Sequence, residues 1–348
     1  MKKKILLLAL IIGFNIQSFS QQIDMSLIPY RKATKWGYAS PDGKIVITPK
    51  YDEANWFSEG YAAVKLGKKY GYINKAGKLV IPAKFTVAKS FRKGFMPNPA
   101  KSGGDSVLFA GASMLASGYE ICINTRGARI PKCPAISESS VPENNIPVKT
   151  VVTQKTYSVP NNNGLFDKIS DDYKMSGSDE TYYIAVKDNR WGVFNTKFET
   201  IVPFEYDGIK LVRAKMPYLE VSKGGMYGMI NGIGQMKILP DNSKIFFVQG
   251  ANDKEYIIVK RNGKTYVKDA DNNFVIEDGY SDIIYDGSGG FILTGDDNKR
   301  GYYFSDKTIV APRYSDIKLV NGTRYLLVKT SSGKLGYISS AGNEYFVE

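Results

Sequence analysis

The 348-residue chain contains no histidine, which removes every Ser-His or Cys-His nucleophile pair and every imidazole metal site. Cysteine is nearly absent. Cys122 and Cys133 are the only two, too few for a four-thiolate metal site. In an exported chain they form a candidate disulfide, although spacing alone does not establish the geometry that a bond needs. Long apolar runs are missing too: the stretch from Ile5 to Phe14 is about half the roughly twenty residues of a spanning helix. No membrane span is expected once that stretch is removed.

What is present at the start is a leader. Lys2, Lys3 and Lys4 precede the apolar stretch, and the small residues Ser18 and Ser20 flank Phe19 before Gln21. This order of basic, apolar and small residues reads as a secretory signal peptide over residues 1–20, cleaved after Ser20. The expected destination is the periplasm or the cell exterior. Removing the leader leaves 44 Lys and Arg against 34 Asp and Glu, a balance that favours anionic partners such as envelope glycans. The lysines recur along the chain rather than forming one block, which also fits a solvated basic surface.

Repetition dominates the rest. The pentad KWGYA at Lys35 to Ala39 returns as KYGYI from Lys69, RWGVF from Arg190, MYGMI from Met226, KRGYY from Lys299 and KLGYI from Lys334. Its marks are Trp36 and Gly37, Gly71, Trp191 and Gly192, Gly228, Gly301 and Gly336, with Thr265 read in place of the glycine in one copy. A short aliphatic run closed by proline follows most marks (Pro49, Pro82, Pro203, Pro240, Pro312), as at a strand end. Tyr-Asp steps come next, at Tyr51-Asp52, Tyr206-Asp207, Tyr280 with Asp282 and Tyr314 with Asp316. A Tyr- and Val-rich run precedes the pentad, as in Tyr61 to Leu66, and Asp188-Asn189, Gly224-Gly225 and Asn262-Gly263 supply hairpin turns between the two.

Each unit of about 35 residues therefore reads as a three-stranded antiparallel meander, linked to the next by a loop of about ten residues. Two degenerate copies, Ile121 to Asn124 with Gly127, and Asn163 to Asp167, bring the number to about nine. The fold class is all-β, a tandem array that is propeller-like or an open spiral or solenoid. The array is expected to fill residues 21–348, with an irregular insertion at 97–118, a loop at 137–150 and no separate catalytic domain. Trp36, Trp191 and their Tyr equivalents are expected to fill the interfaces between units as large buried aromatics.

These residues resemble the WG, or KWG, repeat family of bacterial, often exported proteins. The resemblance covers nearly all of the chain beyond the leader and implies a β-rich scaffold. It carries no catalytic residues to transfer.

Other motifs dissolve into the repeat. Tyr-Asp carboxylates return periodically, as turn residues do, whereas glycoside hydrolysis needs one pair in one pocket. Asp269 with Asp271 and Asn273, and Asp296-Asp297-Asn298, approach calcium-loop spacing, but Phe274 and Arg300 stand where the loop glycine and a ligand belong. Gly103-Gly104-Asp105-Ser106 lacks the Lys-Ser/Thr ending of a phosphate loop. Aromatic-basic neighbours such as Lys68-Lys69-Tyr70 and Arg324-Tyr325 occupy repeat positions and read as packing. Cys122 lies in the first strand of a hairpin turning at Thr125-Arg126-Gly127, where ideal pairing would bring Cys133 nearer Tyr119, so a bond requires a bulge or bend. The expected function is an exported scaffold that binds protein or anionic glycan partners in the bacterial envelope. It would have no catalytic, metal or cofactor residues and no nucleic-acid partner. The alternative is a propeller-type glycosidase or lyase using an unrepeated carboxylate pair.

Overall fold

The computed structural model describes residues 23–98, 101–115, 120–135, 164–212, 216–250 and 253–347. The leader, residues 1–20, and the loop at 137–150 lie outside them. Among the described residues the fold is all-β: eight small sheets and no α-helix. No helix there is long and apolar enough to cross a membrane. The chain divides into two compact units, Met1–Lys149 with Glu344–Glu348, and Thr150–Asn343.

The second unit shows the repeat most plainly. Its strands Gly208–Val212, Tyr218–Lys223, Met226–Asn231 and Met236–Asn242 pair in sequence order as one antiparallel sheet, and Lys168–Tyr206, Lys244–Tyr280 and Asp282–Tyr314 each hold another of the same order. A three-stranded sheet, Asp316–Leu319, Tyr325–Lys329 and Leu335–Ser339, follows. The three-stranded meander is thus present, and in most sheets a fourth strand joins it. That strand, Gly208–Val212 for example, is the stretch read from sequence as a connecting loop. Only Ile209 in it is buried, so its alternation is too short to stand out in the sequence.

The first unit holds three sheets. Strands Ile28–Lys32, Lys35–Ala39 and Ile45–Tyr51 form one, and Phe346–Val347 adds to its edge in parallel, with Arg31 opposite Phe346 and Lys32 opposite Val347. The Tyr345 hydroxyl donates to the Pro41 carbonyl at 2.7 Å and fixes this pairing. A second sheet is built on Tyr61–Leu66, Lys69–Asn74 and Leu79–Phe85. In the third, Lys101–Ser113 pairs with Ile121–Ile123 through its last residues and with Arg92–Asn98 along its length. The insertion at 97–118 is therefore not irregular: over 101–113 it is a long strand. Its Gly- and Ser-rich composition hid the alternation.

The copy read at Asn163 to Asp167 forms no pentad strand over its described residues, 164–167. Gly164 begins a turn, and Asp167 is the joint residue that precedes Lys168–Lys174, its N–H donating to the Val186 carbonyl. In the 264–280 copy, Thr265 faces Tyr280 as Trp36 faces Tyr51, so the residue in the glycine position is Tyr266.

The pairing explains why that position favours glycine. Trp36 opposes Tyr51 and Tyr38 opposes Ile47, so the single residue Gly37 faces three, Thr48, Pro49 and Lys50, in a bulge. A Cβ on Gly37 would lie 2.1 Å from the Ile47 carbonyl oxygen and 2.6 Å from the Pro49 nitrogen. Gly71, Gly228 and Gly301 meet the same backbone atoms of Ile81, Ile238 and Val310 at 2.6, 2.6 and 2.4 Å. At Gly192 the Phe204 ring fills the space, 2.6 Å from the built Cβ. Tyr266 is tolerated because the facing strand carries Gly279, whose own Cβ would come within 2.9 Å of the Tyr266 hydroxyl. The small residue has moved across the pair. Gly336 stands opposite Val328 in the three-stranded sheet, where no proline strand follows.

Cores form as layers between successive sheets, as expected for units too thin to bury a core alone. One joins Tyr38, Ile47 and Tyr51 to Phe57, Val64 and Ile73; another joins Val193, Val202 and Tyr206 to Ile209, Leu219 and Ile230. The residue after the repeat glycine is the fully buried one, as Tyr38, Tyr72 and Tyr302 show. Trp36 and Trp191 do not fill these layers as expected. They are half-buried and pack on the margins.

Candidate functional site

The Tyr-Asp steps, the first candidates for acid/base chemistry, are joints between sheets. The backbone N–H groups of Asp52, Thr86, Asp207, Ser243, Ser281 and Ser315 each donate to a carbonyl of the next sheet, from Lys65, Ser113, Ser222, Lys260, Thr294 and Lys329. The side chains add to this. Asp52 accepts Gly67 N–H at 2.7 Å and pairs with Lys35 at 2.5 Å, while Asp207 accepts Gly224 N–H at 2.6 Å and pairs with Arg190. Where serine replaces the acid, its hydroxyl turns donor, as in Ser281 to the Thr294 and Gly295 carbonyls at 2.9 and 2.8 Å. These hydrogen bonds and the Lys35 charge hold the Asp52 carboxyl below the usual range.

Asp269 is a turn cap. Its carboxylate accepts the N–H groups of Asp271 and Asn273 at 3.0 and 2.8 Å, as Asn195 does for Lys197 and Glu199 and Asn231 for Ile233 and Gln235. Asp296 pairs with Lys264 at 2.5 Å and Asp297 caps Lys299 N–H at 3.0 Å. Neither group is arranged around a cation. Cys122 and Cys133 are joined in a disulfide with Cα atoms 5.3 Å apart. Cys122 faces Ile130 in the ladder, and the chain bends after Ile130 to bring Cys133 back. The bond secures the segment whose Ala135 exchanges two backbone hydrogen bonds with Phe95, at 2.9 Å each.

Two clefts lie between the sheets Lys244–Tyr280 and Asp282–Tyr314, each of about 500 Å³. One has the aromatic floor Tyr256, Phe291 and Tyr303 and the charged rim Asp253, Glu255, Asp271, Lys254 and Lys307. Burial pushes the Tyr256 and Tyr303 hydroxyls above their ordinary value, and burial followed by the charges of Glu255 and Asp271 does the same to Tyr218. The other cleft is lined by Phe246, Phe247, Ile284 and Tyr285 with Lys244 and Lys260. Sequence reasoning missed both. The available signal was departure from the repeat: Glu255 stands where Pro217 and Thr181 stand in neighbouring sheets, one residue before the strand's tyrosine.

No curated protein matches the chain. Among solved structures it is similar to the crystal structure of the eukaryotic initiation factor (12% identity, TM-score 0.28, 92% of this chain and 83% of that one). It is also similar to the dihydro-heme d1 dehydrogenase NirN (10%, 0.29, 94% and 73%) and to apo AztD from Citrobacter koseri (11%, 0.24, 92% and 78%). TM-scores this low transfer no property to this chain. The family described as WG containing repeat matches at residues 36–70, 70–97 and 191–214. Each matched stretch opens on the aromatic residue before a repeat glycine and runs through the bulged proline strand, and the chain is a WG-repeat-containing protein.

Proposed function

We propose that this chain is an exported, non-catalytic β-repeat scaffold that binds protein or anionic glycan partners in the bacterial envelope. One observation carries the reading: the periodic carboxylates, the most abundant candidates for chemistry, are engaged in joints and turn caps that the scaffold itself needs. The basic balance of 47 Lys and Arg against 34 Asp and Glu favours anionic partners. Recognition would then rest on several shallow contacts along the sheets. A glycan array and an envelope-protein panel, probed with the mature protein at roughly 50 and 300 mM salt, test this, because exposed charge contacts weaken as screening rises. Salt-insensitive binding to one neutral sugar would overturn it. Export is read from the leader, and mass spectrometry of secreted material should find Gln21 first. An intact Met1 on the secreted product would refute it.

A second reading has its own support. Asp253, Glu255 and Asp271 are gathered over one aromatic floor, as a glycan-active enzyme would need. Release of reducing ends from envelope polysaccharide, abolished by Glu255→Gln, would favour that enzyme over the scaffold.

A further inference from the structure

The repeat supplies its own reference for what a surface position ought to carry. In four successive sheets the first strand places an isoleucine in the core, at Ile209, Ile245, Ile283 and Ile317. The next residue is exposed in all four. It is Lys210 and Lys318 in the outer two, and Phe246 and Ile284 in the inner two, 47% and 51% exposed. Their partners across the strand pair change with them: Lys210 faces Glu220, whereas Phe246 faces Ile258 and Ile284 faces Ile292. Two adjacent sheets thus present apolar side chains to water where a flanking sheet sets a lysine opposite a glutamate. The scaffold has no need of them there, since lysine serves the same position on either side.

Charge surrounds this patch. Lys244 and Lys260 stand directly opposite each other in the ladder, an arrangement that is unfavourable without a counter-charge. Both line the cleft with Phe246 and Ile284, and Asp282 is the one acid among the lining residues. None of Lys210, Lys244, Lys260 and Lys318 forms an ion pair among the described residues. Lys244 Nζ lies 4.7 Å from the centroid of the Phe246 ring, so that ring face is covered and not open for stacking on a sugar. Among the described residues, strands Lys244–Gln249 and Asp282–Tyr285 are each hydrogen-bonded on one side only, leaving a ladder edge that an extended chain can use.

We propose that this cleft docks an extended polypeptide segment in which acidic residues alternate with large apolar ones. The apolar side chains enter between Phe246 and Ile284, and the acids meet Lys210, Lys244, Lys260 and Lys318. This deepens the scaffold reading and rests on it. The test uses the full mature chain and a fluorescent twelve-residue peptide in which Glu alternates with Phe and Leu, with a Lys-for-Glu peptide and phosphatidylglycerol vesicles as comparisons. Phe246→Lys with Ile284→Lys installs the residue that neighbouring sheets already carry, so folding should be retained, and an unchanged melting temperature checks this. The double variant should lose at least about tenfold in affinity for the acidic peptide, the scale of a lost interface anchor, and Lys210→Glu with Lys318→Glu should weaken binding further at low salt. Equal binding of the Lys-for-Glu peptide, vesicle binding without peptide binding, or an unaffected double variant would each overturn the proposal. If the double variant still binds an envelope partner found on the arrays, the docking cleft falls and the scaffold reading stands. If the parent binds neither peptide nor any array partner, both fall.

Discussion

Replacing Gly37 with alanine should destabilise the first unit more than replacing a glycine in a turn, and the bulge sets the amount. The new Cβ would sit 2.1 Å from the Ile47 carbonyl oxygen, 2.6 Å from the Pro49 nitrogen and 2.8 Å from the Thr48 carbonyl carbon. All three atoms are backbone, held in a paired strand, so none can rotate away. Relief requires the proline strand to move off, which breaks the pairings of Trp36 with Tyr51 and Tyr38 with Ile47. Overpacking that shifts backbone costs about 1–3 kcal/mol, and the upper end applies here. The reduced freedom of the unfolded alanine chain returns about 0.4–1 kcal/mol. The net loss is about 2 kcal/mol, a fall of roughly 4–8 °C in melting temperature for a unit of this size. Gly43→Ala is the control: its φ is +84° and nothing lies within 4 Å of the built Cβ, so only left-handed strain of about 1 kcal/mol applies. Gly192→Ala separates the causes, because its obstacle is the Phe204 ring. Adding Phe204→Leu should recover stability there, a coupling that Gly37 cannot show. Thermal unfolding followed by circular dichroism reads all four proteins. Gly37→Ala melting within about a degree of the parent, or no lower than Gly43→Ala, would refute the bulge as the reason for the repeat glycine.

Trp191→Ala should cost about 1–3 kcal/mol, below the 3–5 typical of a fully buried aromatic, because the ring is only half-buried; a larger loss in chemical unfolding would show that it carries the layer. Cys122→Ser with Cys133→Ser should lower stability by about 2–3 kcal/mol, the loop-closure scale for a short cross-linked segment, and peptide mapping without reductant should recover the two cysteines as one linked pair. Burial raises the hydroxyls of Tyr72, Tyr173 and Tyr302 above the ordinary value of 10.0. The unfolded chain then loses these protons first, so their contribution is complete below pH 10 and declines as pH rises from there towards the folded values. Urea titrations at successive alkaline pH values should show that decline, and Tyr72→Phe should make it shallower; an unchanged slope would count against the burial of Tyr72.

Much of the fold was written locally in the chain. The hairpin turns could be read because Asn262-Gly263, Gly224-Gly225 and Asp188-Asn189 must adopt positive φ, and they do. The paired strands could be read because Tyr61–Leu66 and its equivalents are short runs rich in Tyr and Val between turn residues. Such signals depend only on residues a few positions apart, so the all-β repeat followed from sequence. The candidate clefts did not, because Glu255 and Asp271, or Phe246 and Ile284, are ordinary surface residues until sheets stack and bring them to one opening.

Register against distant partners was likewise a tertiary matter. Sequence alone determined the repeat, its turns and its alternation, since these rest on backbone preference and side-chain period. Only the tertiary structure decided that short stretches such as Gly208–Val212 become fourth strands, because their pairing partner, not their own pattern, supplies the stabilisation. It also decided that Tyr266 and Gly279 exchange roles, which is visible only when two strands face each other. The parallel pairing of Phe346–Val347 with Ile28–Lys32 lies furthest beyond sequence: a two-residue strand has almost no signal of its own, and it gains its hydrogen bonds from residues more than 300 positions away.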